Sequence, residues 1–306
     1  MILCCGEALI DMLPRQLPGG EEVFLPVAGG AVFNTAIALG RLGEQAGFFS
    51  GLSNDLFGRK LVDALEGSNV DHALCVRNGR PTTLAFVTLK DGHAEYAFHD
   101  DGTAGRMLRP ADLPALPDTV RALHFGAISL IGEPCGSAYE ALAAREHAGR
   151  VISLDPNIRP GFVEDESAYR ARLTRMIALA DVIKVSDEDL AWLAPGRGFT
   201  EIAGEWLAAH ASICILTRGQ KGALALTRGG EVSVPSVPAT VVDTVGAGDT
   251  FNAGMLAGLS RAGVLDRASL RTISPQAVEG ALQLAARVAA ITVSRPGANP
   301  PWANEL

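Results

Sequence analysis

Short apolar runs alternate along the chain with longer stretches whose apolar residues recur at helical spacing. The runs occupy residues 2–5, 46–50, 122–127, 151–154, 182–185 and 213–217. Uninterrupted apolar strands separated by helices are typical of βαβ units, in which a parallel sheet is buried on both faces. The pattern therefore predicts an α/β fold of three layers, with a doubly wound, mostly parallel sheet between helices. In such folds ligands bind at the carboxyl ends of the strands.

One region interrupts this alternation. Three strand-like runs follow one another with no helix between them, at residues 73–77, 83–89 and 94–98. Asn78-Gly79 and Asp91-Gly92 are turn dipeptides. The region predicts a small antiparallel sheet inserted into a single domain of residues 1–306. Residues 73–105, together with residues 12–28, would form a lid that closes over a ligand or carries a homodimer contact. The alternative is a plain extension of the main sheet.

The composition argues against several classes of protein. The 306 residues carry a formal net charge of −8, with a pI near 5.3 and no run of Lys or Arg, so neither nucleic acid nor an anionic membrane is expected as a partner. No apolar stretch reaches the roughly 18 residues that a spanning helix needs, and the first residues lack a signal-peptide pattern, so a cytoplasmic location is expected. Five cysteines without a Cys-x-x-Cys pair are interpreted as reduced thiols. Cys4 and Cys5 fall in one predicted strand and would point to opposite faces.

A glycine-rich segment near the C-terminus carries the clearest chemical signal. A β-branched run leads into Gly246-Ala247-Gly248, and a helix rich in small residues follows. Backbone N–H groups at a helix N-terminus bind anions, so a phosphate is expected there. Asp249 would repel that phosphate, but it is suited to accept the proton of a hydroxyl group that attacks the γ-phosphorus of ATP. The alternative is that Asp249 merely caps the helix in an ordinary glycine turn.

Other nucleotide-binding signatures are missing from the sequence. There is no GxxxxGK[ST] loop, and Phe251 stands where a dinucleotide fingerprint would have its third glycine. A dinucleotide oxidoreductase is therefore disfavoured. A non-catalytic sugar or nucleotide sensor stays open as an alternative, although it would have no need for Asp249.

The segment from Asp243 to Leu256 resembles the C-terminal signature of the ribokinase-like (PfkB) carbohydrate kinases. Residues 29–43 resemble the glycine/asparagine motif of that family and residues 51–58 its next block, so the resemblance spans nearly the whole chain. It implies a ribokinase-like fold and transfer of the γ-phosphate of ATP, with Mg²⁺, to a primary hydroxyl of a small sugar.

The resemblance also implies roles for individual residues. It makes Asp249 the general base, with Gly246, Ala247 and Gly248 as the anion hole and Arg159 near the phosphate. The implied sugar contacts are Asp11, Gly29, Gly30, Asn34 and Asn157, to which His99 is added because it follows the last predicted lid strand. The implied ATP contacts are Lys184, Thr217, Gly219, Gly222 and Asn252.

Each of these roles has a structural alternative. Asn34 would otherwise cap its helix, Asp11 would be a solvated loop acid, and Arg159 would form an ion pair. The segment from Thr217 to Gly222 would otherwise be an ordinary hairpin turn.

The metal sites are where the sequence departs from the family. The Asn-x-x-Glu element that organises magnesium is replaced by residues 186–189, so Asp189 is the expected carboxylate, acting through metal-bound water, and Glu188 competes for the role. The resemblance also implies a monovalent cation site, with K⁺ as the expected ion, formed by Asp243, Val245, Thr292, Arg295 and Gly297. Pro301 stands where a serine sometimes contributes.

Two further segments indicate which sugar to expect as the substrate. Residues 6–11 and 82–87 are most similar to bacterial fructokinases, with 2-keto-3-deoxygluconate kinases second, so D-fructose is the expected substrate. An anionic sugar acid would need an additional cation in its pocket. Arg106 is the nearest basic residue after the lid.

Overall fold

The computed structural model describes residues 1–90 and 93–306, and the side chains of residues 87–90 and 93–96 are not described. The strands are β1 (Ile2–Cys5), β2 (Leu9–Gln16), β3 (Glu22–Gly29), β4 (Ala46–Phe49), β5 (Gly51–Ser53), β6 (Val70–Asp71), β7 (Val76–Asn78), β8 (Leu84–Lys90), β9 (His93–His99), β10 (Ala122–Gly126), β11 (Val151–Asp155), β12 (Val182–Ser186), β13 (Ile213–Thr217), β14 (Ala223–Thr227) and β15 (Gly230–Val234). The helices are α1 (Ala31–Arg41), α2 (Leu56–Glu66), α3 (Cys135–Glu146), α4 (Glu166–Leu179), α5 (Asp187–Leu193), α6 (Phe199–Ala209), α7 (Ala247–Arg261), α8 (Arg267–Arg271) and α9 (Pro275–Val293).

The main sheet has the order β15-β14-β13-β12-β11-β10-β1-β4-β6. From β6 to β13 all neighbours are parallel, and the edge strands β14 and β15 are antiparallel. The chain passes from β1 to β4 on one side and later to β10 on the other, so the winding direction reverses beside β1. Ligands bind at such a switch point. The predicted α/β fold is confirmed, and the six apolar runs are strands with ends within one residue of the prediction.

Two apolar layers bury the sheet. Helices α1, α2, α7, α8 and α9 pack on one face and α3 to α6 on the other. Cys4 belongs to the first layer and Cys5 to the second, and both have 0% exposure, because successive strand residues point to opposite faces. This placement confirms the prediction for these two thiols. Among the described residues, no helix combines the length and apolarity that crossing a membrane requires.

A separate four-stranded sheet has the order β3-β2-β8-β9. Strands β2 and β3 form a long antiparallel hairpin, and β8 pairs antiparallel with β9. The prediction of an entirely antiparallel sheet is wrong at one position, since β2 and β8 pair in parallel because both lead away from the main domain in the same direction. That this sheet acts as a lid stays a prediction. The turn expected at Asp91-Gly92 lies outside the described residues.

The run at residues 73–77 is not part of this small sheet, contrary to the prediction. Only residues 76–78 form a strand, β7, and it pairs in parallel with β5. The Val76 N–H donates to the Ser50 carbonyl at 2.9 Å, and the Arg77 guanidinium donates to the Ser53 carbonyl at 2.9 Å. These contacts hold β7 against the main domain.

Helices α7 and α9 pack unusually closely because glycines on α7 face alanines on α9. A Cβ atom on Gly254 would lie 2.6 Å from the Cα of Ala285, and one on Gly258 would lie 2.5 Å from the Cα of Ala281. Both distances are shorter than real carbon contacts. The position of α7, whose N-terminus carries the glycine-rich segment, therefore depends on the absence of these side chains.

We predict that Gly254→Ala lowers the free energy of unfolding by about 1–3 kcal/mol, because the added methyl group overpacks the contact between α7 and α9. Chemical denaturation measures the change. Gly280→Ala is the matched control, since Gly280 is an exposed residue of α9 and a Cβ added there would have no atom within 4 Å. It should raise stability by up to about 1 kcal/mol through helix propensity. Equal effects of the two substitutions would contradict the packing argument.

Candidate active site

A cavity of about 470 Å³ opens where the carboxyl ends of the central strands meet the N-termini of α1 and α7. The residues that line it include most of the predicted sugar and phosphate contacts. They are Asp11, Gly30, Asn34, Asn157, Arg159, Lys184, Thr217, Gly246, Ala247, Gly248 and Asp249. Glu188 and Asp189 also line it. The structure thus brings together residues from opposite ends of the sequence.

The N-terminus of α7 is built for close approach of an anion. Gly246 has φ of 78°, and a Cβ there would lie 2.6 Å from the Cβ of Ala298, so only glycine fits. The Ala247 N–H donates to the Thr244 carbonyl at 3.3 Å, whereas no described residue accepts from the N–H groups of Gly248 and Asp249. These two amides are therefore the free donors. The β-branched run before the turn is not a strand, since residues 235–246 have no regular secondary structure. In this run the Val242 and Asp243 N–H groups both donate to the Val293 carbonyl at the end of α9.

The Asp249 side chain is 7% exposed and lies at the junction of α1 and α7. Its Oδ2 accepts from the Asn34 Nδ2 at 2.9 Å, and its Oδ1 lies 3.5 Å from the Asn157 Nδ2. Burial raises the pKa of Asp249 to about 6, Asp155 adds to the rise, and the Asn34 hydrogen bond with the Lys184 and Arg159 charges partly offsets it. The carboxylate is thus ionised at neutral pH and more basic than an ordinary aspartate. It does not cap α7, whose N-cap is Gly246.

The Asn34 side chain binds Asp249 and does not cap its own helix. The N-cap of α1 is Gly30, which has no side chain to accept a hydrogen bond. Glu7 supplies the acceptor instead: its Oε1 accepts from the Ala31 N–H at 2.7 Å and from the Val32 N–H at 3.3 Å. Sequence reasoning missed Glu7. A glycine at the N-cap was the available signal, since the free amides behind it need a partner from elsewhere.

The sugar end of the cavity contains Asp11 on β2. A Cβ on Gly29 would lie 2.3 Å from the Asp11 Oδ2, and a Cβ on Gly30 would lie 2.8 Å from the Glu7 carbonyl. The two glycines therefore leave room for the carboxylate and for the loop after β1. Partial burial raises the pKa of Asp11 to about 6. The carboxylate lines the cavity, so it is not a freely solvated loop acid.

A buried ion pair lies beneath the N-terminus of α7. The Lys184 Nζ is 2.9 Å from the Asp155 Oδ2, and the Lys184 side chain is only 5% exposed. Burial favours neutral lysine, but attraction to Asp155, then to Asp189, raises the pKa of Lys184, so the ammonium group stays charged. The same Asp155 oxygen accepts from the Asn252 Nδ2 at 2.7 Å. Asn252 therefore faces inward, and it lines a small pocket next to the cavity that contains Asp249 but not that cavity itself, so its contact with ATP stays a prediction.

Asp189, the carboxylate expected to organise magnesium through metal-bound water, also caps a helix. Its Oδ2 accepts from the N–H and hydroxyl groups of Ser186, at 2.9 and 2.7 Å, in a capping box that begins α5. Its Oδ1 accepts from the Ile158 N–H at 2.7 Å. These bonds let Asp189 hold the loop after β11 in place, and because it also lines the cavity, its role toward magnesium stays a prediction. Glu188, which is exposed and lines the cavity, is the carboxylate that stays available.

Arg159 lines the cavity that contains Asp249, whereas His99 does not. Arg159 is exposed at the cavity, its guanidinium donates only to the Ile158 carbonyl, and no described carboxylate forms an ion pair with it. His99 instead lines a second cavity of about 780 Å³, next to Arg106. It is the last residue of β9, its ring contacts that of Phe86 with the centroids 5.4 Å apart, and it does not line the cavity that contains Asp249. Arg106 pairs there with Asp100 at 3.2 Å.

The predicted nucleotide loop follows β13. Thr217 ends the strand and lines the cavity that contains Asp249, and Gly219 and Gly222 have φ of 52° and 81°. A Cβ on Gly222 would lie 2.1 Å from the Val234 carbonyl oxygen, so β14 can begin there only with glycine.

The two segments of the expected monovalent cation site also meet. The Asp243 Oδ2 accepts from the Gly297 N–H at 2.9 Å, and its Oδ1 accepts from the Val245 N–H at 3.0 Å. Thr292 is buried and bonds within α9, and the Arg295 guanidinium pairs with Glu305. Any ion there would be bound by carbonyl oxygens. No group of three or more His, Cys, Asp or Glu side chains with metal-binding geometry occurs in the described part of the chain.

Comparison with known proteins assigns the chain to a family. A family model described as pfkB family carbohydrate kinase matches residues 1–305. The chain belongs to this family. A curated fructokinase from Rhizobium leguminosarum bv. trifolii is 54% identical to this carbohydrate kinase over 278 residues, which are 91% of this chain and 85% of the relative.

Solved structures of similar proteins agree with this assignment. A fructokinase from Xylella fastidiosa with bound ATP superimposes with a TM-score of 0.89 at 31% identity, covering 97% of this kinase and 93% of that chain. A double mutant of the fructokinase from Vibrio cholerae O395, in a fructose-, ADP- and potassium-bound form, gives 0.84 at 26% identity, covering 97% and 93%. The predicted ribokinase-like fold and carbohydrate kinase class are confirmed.

We predict that Asp249→Asn raises the melting temperature of the kinase at pH 8. The folded-state pKa of Asp249, about 6, lies above the ordinary value of 3.8, so its contribution to stability is lost as pH rises through this interval. At pH 8 the folded protein holds a buried charge that asparagine removes, while the Asn34 amide keeps an oxygen acceptor. Thermal unfolding at pH 5 and pH 8 measures the difference. A lower melting temperature for the variant at pH 8 would show that this charge stabilises the fold.

Proposed function

We propose that this kinase transfers the γ-phosphate of ATP to a primary hydroxyl of D-fructose, with Asp249 as the general base. The observation that carries the proposal is the buried Asp249 carboxylate directly beside the free amides at the N-terminus of α7. A sugar hydroxyl placed between the two would lose its proton to Asp249 while the amides stabilise charge on the transferred phosphate. Because the sugar oxygen attacks directly, no protein nucleophile is needed.

Two cations lie at the end of the cavity where the transferred phosphate group, which carries negative charge, is proposed to bind. A Cβ atom on Gly248 would be 3.3 Å from the Lys184 Nζ, so the ammonium group lies directly behind the amide donors. Arg159 faces the cavity without an acidic partner among the described residues. A planar guanidinium can donate two hydrogen bonds to two oxygens of one phosphate group, so Arg159 is suited to bind the γ-phosphate of ATP. Thr217 and the glycine bend after it are proposed to contact the nucleotide, with Gly219 and Gly222 shaping that bend.

The sugar end favours a neutral sugar. Asp11 is proposed to bind two hydroxyls, and Gly29, Gly30, Asn34 and Asn157 complete the pocket. The adjoining second cavity has an acidic wall, formed by Asp100, Asp101 and Glu164. Arg106, the cation that a sugar acid would need, already pairs with Asp100 and donates to the Glu133 carbonyl at 2.8 Å. This charge balance disfavours 2-keto-3-deoxygluconate, and the fructokinases among the relatives support fructose.

The ions are part of the same proposal. Mg²⁺ would be held by the ATP phosphates and water, with Glu188 nearby, and would neutralise phosphate charge. K⁺ would bind carbonyls of the segments around Asp243 and Gly297, and the potassium in the Vibrio cholerae structure supports this choice. A cytoplasmic location and a homodimer formed through the lid stay predictions.

The test is ADP release with Mg-ATP against D-fructose, 2-keto-3-deoxygluconate, D-ribose and adenosine. We expect the highest kcat/KM with fructose, and Asp249→Asn should lower kcat by about 10²–10⁴-fold because the general base is lost. Asp266→Asn is the matched control, since Asp266 caps α8 away from the cavity and asparagine caps equally well. Preference for another sugar would overturn the substrate, and full activity of Asp249→Asn would overturn the mechanism.

A further inference from the structure

Helix α1 is capped by a residue that lies 24 positions earlier in the chain. Its N-cap, Gly30, has φ of 112° and no side chain, so the first amides of the helix need another acceptor. The Glu7 Oε1 accepts from both the Ala31 and the Val32 N–H groups. A carboxylate at this end of a helix also interacts favourably with the helix dipole. Glu7 thus ties the end of β1 to the beginning of α1.

The contact between these two elements is sterically tight. A Cβ on Gly6 would lie 2.6 Å from the Val32 Cγ2, and a Cβ on Gly30 would lie 2.8 Å from the Glu7 carbonyl oxygen. The Tyr139 hydroxyl donates to the Gly6 carbonyl at 3.0 Å and fixes the loop from the other side. The Glu7 backbone therefore has little freedom, and its side chain holds the helix at one position.

The first turn of α1 in turn holds Asp249. Asn34 binds the Asp249 carboxylate, and the Thr35 Oγ1 lies 3.1 Å from the carbonyl oxygens of both Asp249 and Ala31, which share its one proton. A continuous set of contacts therefore runs from Glu7 through the first turn of α1 to both the side chain and the main chain of Asp249. No other described side chain accepts from the first two amides of α1.

The second carboxyl oxygen of Glu7, Oε2, is buried and forms no hydrogen bond with the described residues. Burial raises the pKa of Glu7 to about 7, its backbone hydrogen bonds oppose the rise, and the Asp249 charge adds to it. A buried carboxyl group with one unpaired oxygen is costly, and the cap is its only evident compensation.

We propose that Glu7 is a positioning residue for phosphoryl transfer. By capping α1 from the end of β1, it holds the Asn34 amide against Asp249 and so sets the orientation of the base toward the sugar hydroxyl. This inference rests on the proposed function of Asp249. Glu7 lines the same cavity as Asp249, and the role proposed here acts through α1 and not by contact with the reacting atoms.

The first test is kinetic. Glu7→Ala should lower kcat for fructose by about 10- to 100-fold, since small displacements of a catalytic group cost this much, while KM for ATP stays unchanged. Glu7→Gln retains an oxygen for the α1 amides and should recover most of the rate. Asp266→Ala is the matched control, because Asp266 also accepts from two first-turn amides, Ala268 and Ser269, each at 3.0 Å. It should lower the melting temperature without changing kcat.

The second test separates this inference from the proposed function. In a double-mutant cycle, Glu7→Ala should have little further effect on kcat in an Asn34→Ala background, because both act through one contact. Carbon-13 titration of the Asp249 carboxyl needs no substrate. Loss of the Asn34 hydrogen bond raises the Asp249 pKa, whereas loss of the Glu7 charge, which repels Asp249, lowers it. Glu7→Gln removes that charge but keeps an acceptor for the α1 amides, so the Asp249 pKa should be higher in Glu7→Ala than in Glu7→Gln. The nearby charges of Asp155, Lys184 and Arg159 are unchanged in these variants.

The outcomes of the two tests can be told apart. An Asp249 pKa that is higher in Glu7→Ala than in Glu7→Gln, in an enzyme that does not phosphorylate fructose, would reject the proposed function and keep the positioning role. Unchanged kcat in a folded Glu7→Ala protein whose Asp249 pKa equals that of Glu7→Gln would overturn the positioning role. Additive kcat losses in the double mutant would overturn it as well.

Discussion

The burial of one carboxylate between two helix N-termini is the constraint on which this site depends. Asp249 is in the first turn of α7, and its oxygen bonds to Asn34 in the first turn of α1. Burial makes the carboxylate more basic, and the same enclosure leaves the neighbouring α7 amides directed at an anion. Base and anion site are therefore one local structure. The glycines at Gly246, Gly254 and Gly258 are needed because α7 must approach the C-terminal loop and α9 closely to take up this position.

The charge balance of the cavity follows from which groups are already paired. Lys184 is paired with Asp155 beneath α7, so its charge is fixed in place. Asp11 and Glu188 line the cavity with free carboxylates, and Arg159 is the cation without an acidic partner among the described residues. A phosphate and a neutral polyol fit this arrangement better than two anions do. The positions of the unpaired charged side chains in the cavity, and not the net charge of the protein, decide which ligand binds.

Much of this was predictable from sequence because the features involved are local. Buried parallel strands are continuous apolar runs, so strands such as β1 and β13 were located without structural information. The glycine turn before Asp249 is likewise a contiguous signal. The pairing of β7 with β5 was not predictable, because a strand of three residues takes its partner from tertiary contacts.

For two further side chains, the sequence is compatible with both a structural role and a functional role. A carboxylate three residues after Ser186 fits a metal site or a capping box, and only the positions of Ser186 and Ile158 decide that Asp189 is a cap. Asn252 has the polarity of an ATP contact, but the inward face of α7 directs it to Asp155. Glu7 escaped notice because its partners lie 24 and 25 residues away. Sequence spacing does not reveal a cap of this kind.

The most direct test of the account is the pKa of Asp249 in the substrate-free kinase. Carbon-13 labelling of aspartate, with the Asp249 signal assigned by its loss in Asp249→Asn, gives the titration of this one carboxyl group. A midpoint near pH 6 would agree with a buried base poised for proton transfer. A midpoint near the ordinary aspartate value, about 4, would mean that the carboxylate is solvated and would contradict the role assigned to it.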